Sequence, residues 1–130
     1  MLCPGSSDDL KALSKALHDR GMFLMVDVVV NFVASLSTDT SEASLASQDI
    51  PFQRPEYYHP FCWIDYSQQT SSEQCWMGDD KVALMDLNTE NAFVQETMNQ
   101  MIKDLVATYE IDGLRIDDKH PGSMPHVTSR

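Results

Sequence analysis

Basic residues are scarce in this 130-residue sequence: nine Lys and Arg stand against twenty Asp and Glu, a formal net charge of −11. A nucleic-acid or anionic-membrane partner needs a basic face, so neither is expected. No apolar run approaches the roughly 20 residues that cross a bilayer. Met1-Leu2-Cys3-Pro4-Gly5 carries neither the basic nor the apolar region of a secretory signal. There is no Asn-x-Ser/Thr acceptor, glycine-rich phosphate loop, nucleophile elbow or Cys-x-x-Cys pair. His18, His59 and His126 lack the spacing of a zinc site. The cysteines are Cys3, Cys62 and Cys75, and the odd count leaves at least one unpaired within the chain. Cys62 and Cys75 sit close together in a polar stretch and read as a pair, with two free buried thiols as the alternative. What remains is an ordinary composition, 42% hydrophobic and free of low-complexity runs, which is enough for a packed core. Its acidity suits an acid-tolerant protein, a cation-binding protein or one with a neutral substrate.

Ser6-Ser7-Asp8-Asp9 followed by Leu10, Leu13 and Leu17 predicts a helix opened by a Ser6–Asp9 capping box and stopped at Gly21. Met22 to Asn31 is a Val-rich run of the kind buried on both faces of a parallel sheet, interrupted by Asp27. From Phe32 to Asn88 periodicity dissolves among Ser, Thr, Gln and scattered aromatics. So long a structureless loop is improbable, and a small inserted subdomain held by its aromatics and a Cys62–Cys75 bridge is expected instead. Thr89 is expected to cap a second helix with Val94, Met98, Met101, Ile102, Leu105 and Tyr109 along one face. Leu114-Arg115-Ile116-Asp117 then alternates as a two-faced strand. The resulting order predicts an α/β fold of parallel βα units. Its parts are a helix and strand over 1–31, an insertion over 32–88, a helix and strand over 89–120 and an unstructured tail over 121–130.

Reactive residues of such barrels sit at the C-terminal ends of strands. Arg115 and Asp117, two apart, share a strand face, where the guanidinium would keep the carboxylate ionised. An ordinary strand-end ion pair is the plainer reading. Asp27 and Asn31, four apart, are expected on one face of the other strand. Asn31 offers a neutral oxygen to a hard cation, and Glu73 and Asp86 could add carboxylates from the insertion; solvated acids are the plainer reading here too.

Together these segments resemble the alpha-amylase family, glycoside hydrolase family 13, and its secreted fungal members in particular. Gly21 to Asn31 is similar to the third barrel strand, which ends in D-x-x-x-N-H, and Gly113-Leu114-Arg115-Ile116-Asp117 to the fourth. His59-Pro60-Phe61-Cys62, Glu73 to Asp79 and Val82 to Asn88 resemble the inserted, irregular B domain. The match runs in family order from about Ser6 to His120. The resemblance implies part of a TIM (β/α)8 barrel and a retaining hydrolysis of alpha-1,4-glucan or maltooligosaccharide with Asp117 as nucleophile and Arg115 as its ionising partner. It implies calcium held by Asn31, Glu73, Asp86 and the carbonyl of His120. Asp27, Tyr66, Lys119 and His120 are implied at the substrate site, and a Cys62–Cys75 disulfide implies an extracellular, oxidising setting. Phe32 departs from the pattern, standing where the family carries a histidine; some fungal relatives altered there resemble glucan-transferring enzymes of the cell wall. Asp117 to His120 is one residue shorter than the usual D-x-x-K-H. A closed barrel takes about 250 residues, and the general acid comes from a fifth strand. The chain is therefore expected to be a truncated piece, inactive alone, or a non-catalytic sugar binder that uses Tyr66 and Trp76.

Overall fold

The computed structural model describes residues 5–48 and 50–117. Cys3, Lys119, His120, His126 and the tail expected over 121–130 lie outside the described residues. Two compact units divide the described residues, 5–28 with 100–117, and 29–48 with 50–99. Among the described residues no helix is long and apolar enough to cross a membrane.

The first unit begins with helix α1, Ser7–His18. Its capping box forms as the sequence predicts: the Asp9 amide donates to Ser6 Oγ at 3.2 Å, and the Ser6 amide donates to Asp9 Oδ2 at 2.7 Å. These bonds satisfy donors that the first helical turn leaves without partners. Gly21 ends the helix with a φ of +68°, a conformation that costs glycine nothing. The chain then enters strand β1, Met25–Val28, which pairs in parallel with a strand at Gly113–Ile116. The register sets Asp27 opposite Arg115, and the Asp117 amide extends the ladder by donating to the Val28 carbonyl at 2.9 Å.

The Val-rich run does not make one doubly buried strand. It stops at Val28, and Asn31 is not on β1, so the expectation that Asp27 and Asn31 share a strand face is corrected. The reason is a change of partner. Beyond Val30 the backbone pairs elsewhere, with the Leu87 amide donating to the Asn31 carbonyl at 2.8 Å. Nor is β1 buried on both faces: with two strands in its sheet, Met25 is 69% exposed.

The second unit holds a three-stranded antiparallel sheet: β2, Phe32–Ser35, joins the central β4, Ala83–Asp86, which joins β3, Met77–Gly78. Short helices α2, Glu42–Ala46, and α3, Gln69–Gln74, fill the connections. Gly78 makes the β3–β4 turn possible, since a Cβ there would lie 2.2 Å from the Val82 carbonyl oxygen. The core gathers Leu45, Phe52, Tyr58, Trp76, Met85 and Leu87 with Val94 and Met98. The last two come from helix α4, Ala92–Tyr109. Asn91, not Thr89, caps α4, its side chain accepting from the Phe93 amide at 2.9 Å. Val94 and Met98 are buried as the spacing predicts, whereas Met101 is exposed. Cys62 and Cys75 form a disulfide across a Cα–Cα distance of 4.9 Å.

Candidate active site

In the first unit, one guanidinium joins two carboxylates. Arg115 Nη1 donates to Asp27 Oδ2, and Arg115 Nη2 donates to Asp117 Oδ1 at 3.1 Å. The backbone dictates this meeting. Arg115 and Asp117 are two residues apart on β5, Gly113–Ile116 and its continuation, and Asp27 is the parallel-register partner of Arg115. The hydrogen bond that Arg115 donates to Asp27 and then the one it donates to Asp117, with both negative charges, hold the Arg115 charge even more firmly than usual. All three side chains are about half exposed, Asp117 at 57%, so the pair lies open to an incoming ligand. A carboxylate fixed by a forked donor at the end of a parallel strand has the orientation that a nucleophile or a charge stabiliser requires.

A different polar group lies in the second unit. Asn31 is 2% exposed, and neither its Oδ1 nor its Nδ2 has a hydrogen-bond partner. A buried amide left in this state costs about 1–3 kcal/mol per group, so it calls for a partner, a water or an ion. On the neighbouring strand Asp86 is equally buried, its Oδ2 2.8 Å from His59 Nδ1, and the His59 amide donates to the Asp86 carbonyl at 3.0 Å. Glu90 Oε2 lies 3.2 Å from His59 Nε2. With a carboxylate at each ring nitrogen, His59 titrates above its ordinary range. The Asp86 hydrogen bond is the main cause; burial opposes it, and the charges of Asp86 and Glu90 reinforce it. Asn31 and Asp86 are thus buried oxygen donors of the kind calcium takes. Glu73, by contrast, is exposed on α3 and accepts from Gln69 Nε2 at 2.9 Å. Among the described residues no three His, Cys, Asp or Glu side chains cluster closely enough to hold a metal.

Residues 4–124 match the family described as alpha amylase, catalytic domain. The chain belongs to the alpha-amylase family. It is 49% identical over 114 residues to Alpha-amylase 1 of Lipomyces kononenkoae and 47% identical over 130 residues to the alpha-amylase of Saccharomycopsis fibuligera, covering 87% and 96% of this chain. It spans only 18% and 26% of the length of those relatives. Among solved structures it is similar to an alpha-amylase from Malbranchea cinnamomea, with 51% identity and a TM-score of 0.76 over 87% of this chain and 24% of that one. An acarbose-complexed alpha-amylase from Geobacillus thermoleovorans matches at 29% identity and a TM-score of 0.68, over 87% of this chain and 23% of that one. The fold class of this alpha-amylase family member is therefore part of an α/β barrel, and its described strands close no barrel.

The remaining expected site residues of this family member fall in different settings. Tyr66 is exposed, whereas Trp76 is fully buried and cannot stack on a sugar, which corrects the expectation for it. Its indole is committed to the core and donates to the His59 carbonyl at 3.1 Å. Sequence reasoning assigned His59 no site role, because an isolated histidine in a polar stretch has no ligand spacing. Its position beside Asp86 arises from pairing between segments 27 residues apart.

Proposed function

We propose that the chain supplies the third and fourth strands and the inserted B domain, residues 32–88, of a secreted fungal alpha-amylase that hydrolyses alpha-1,4-glucans with retention. The observation that carries the reading is the Arg115 fork on Asp27 and Asp117 at the ends of paired parallel strands. Asp117 would attack the anomeric carbon, and Arg115 would hold it aimed. Asp27 accepts from the same guanidinium, and the resemblance places the general acid on a fifth strand instead. A retaining glycosidase needs a proton donor about 5–5.5 Å from the nucleophile, so the 130-residue chain alone is expected not to turn over starch. Tyr66, Lys119 and His120 would contact glucan. Calcium, when bound, would supply structural cross-linking through hard oxygen ligands: Asn31 and Asp86 are the buried donors that suit it, and the resemblance adds Glu73, which would have to leave Gln69, and the carbonyl of His120. The Cys62–Cys75 disulfide supports an extracellular setting.

The test is a chimera of a whole fungal alpha-amylase carrying residues 4–124 of this chain in place of its own segment. It should hydrolyse starch, and Asp117→Asn should lower the rate at least about 10³-fold. Retained activity in that variant would remove Asp117 from the mechanism. Phe32 favours a second reading, a cell-wall glucanotransferase, because an apolar ring cannot hydrogen-bond a sugar hydroxyl. Longer glucans among the chimera's products, shifted toward hydrolysis by Phe32→His, would select it.

A further inference from the structure

An open groove of about 310 Å³ in the second unit contains none of the candidate site residues named above and is lined by Leu36, Thr38, Phe61, Trp63 and Asp80 among others. Its size falls at the lower end for small-ligand sites. One wall is aromatic and rigid. Phe61 meets Trp63 edge-to-face at 5.0 Å between ring centroids and meets the buried Trp76 the same way at 5.1 Å. The Trp76 amide donates to the Cys62 carbonyl at 2.7 Å and the Ile64 amide to the Trp76 carbonyl at 3.0 Å, so the segment bearing Trp63 is tied to the core beside the disulfide. Despite that anchoring, Trp63 remains 41% exposed. A fixed aromatic surface loses little freedom when a ligand covers it.

The other wall is polar. Asp79 spends its carboxylate on the turn, accepting from the Lys81 and Val82 amides at 2.8 and 2.9 Å. Asp80, next in the chain, makes no hydrogen bond or ion pair among the described residues, and neither does the Thr38 hydroxyl. A ligand that suits both walls has an apolar face for the ring and hydroxyls for the acceptors. A phosphate-bearing ligand is disfavoured by Asp80 and by the chain's net charge of −11.

We propose that this groove is a binding site for a neutral glucan, one pyranose stacking on Trp63 while its hydroxyls bond Asp80 and Thr38. The choice of an alpha-glucan among neutral sugars rests on the reading above; the match of groove to sugar does not.

The test is calorimetric titration of the purified 130-residue chain with maltohexaose, with tryptophan emission recorded in parallel. Of the two tryptophans Trp76 is buried, so a change in emission reports Trp63. Saturable binding is expected, weakened at least tenfold by Trp63→Ala and several-fold by Asp80→Asn. If Trp63→Ala fails to fold, as judged by near-ultraviolet circular dichroism, Asp80→Asn and Thr38→Val carry the test. Absence of saturable binding by the folded chain, or unchanged affinity in the variants, overturns the site. The starch-hydrolysing chimera separates the two ideas: activity there without Trp63-dependent binding here sinks only the groove, and the reverse sinks only the hydrolase.

Discussion

Residues 29–99 hold an apolar cluster of nine buried side chains that includes Trp76, Phe52 and Met85, whereas among the described residues 1–28 and 100–117 bury only Leu24 and Ile111 as apolar side chains, with Ser14 beside them. The first unit relies instead on single polar links between segments far apart in sequence. Asp112 accepts from the Leu24 amide, Ser14 donates to the Glu110 carbonyl, Tyr109 donates to Ser7, and Arg115 grips Asp27. Apolar burial scales with area and tolerates changes of pH and salt, while exposed charged and hydrogen-bonded links do not. The candidate nucleophile thus belongs to the less buried unit, and the aromatic groove to the packed one.

The largest test of this contrast is Trp76→Ala. Removing a fully buried indole should cost about 3–5 kcal/mol in denaturant unfolding, with loss of amide protection through β2 and β4. Leu24→Ala in the first unit should cost clearly less. Equal costs would mean that the first unit depends on a core as much as the second does. Breaking the disulfide with Cys62→Ser and Cys75→Ser comes next. Closing a loop of this size, with a sequence separation of 13, constrains the unfolded chain by about 3 kcal/mol in the entropy picture. The loss should appear as faster exchange around Ile64 and Trp76, with the amides of α1 unchanged. Ser6→Ala is smaller, about 1 kcal/mol for a lost helix cap, and should speed exchange at α1 without touching the Trp76 region.

The first unit was the more legible in sequence, because its signals are local. Ser6 and Asp9 form the capping box at fixed spacing, Gly21 takes a positive φ, and Arg115 and Asp117 share a face because strands have a period of two. The second unit hid its sheet. β2, β3 and β4 are two to four residues long, too short for alternation to stand out from polar surroundings. The end of β1 at Val28 was equally hidden, since Val29 and Val30 continue the apolar run and only a change of pairing partner stops the strand. Asn31, Asp86 and His59 come together through those same long-range pairings, so their burial could not be read from spacing. Asn91 outcompeted Thr89 as a cap by where the backbone turned, a choice that one residue type does not decide.

The smallest expected effect is the most selective. Asp112 is held below the usual carboxylate range, first by the Leu24 amide that donates to it and then by the His18 ring 2.8 Å away. A carboxyl depressed in the folded state contributes stability that is present above its unfolded value of roughly 3.9 and lost as pH falls through the folded value. Asp65 and Asp79 in the second unit are also lowered, but each bonds only within its own turn, Asp65 to Ser67 and Gln68, Asp79 to Lys81 and Val82. Asp112 instead closes a contact between segments 88 residues apart. Acidification below pH 4 should therefore raise exchange at the Leu24 and Gly113 amides before it disturbs the core around Trp76. Asp112→Asn should raise that exchange at neutral pH and remove most of its acid dependence. Acid loosening that began in the Trp76 core, or that persisted undiminished in Asp112→Asn, would show that the link at Asp112 is not what holds β1 to its neighbour.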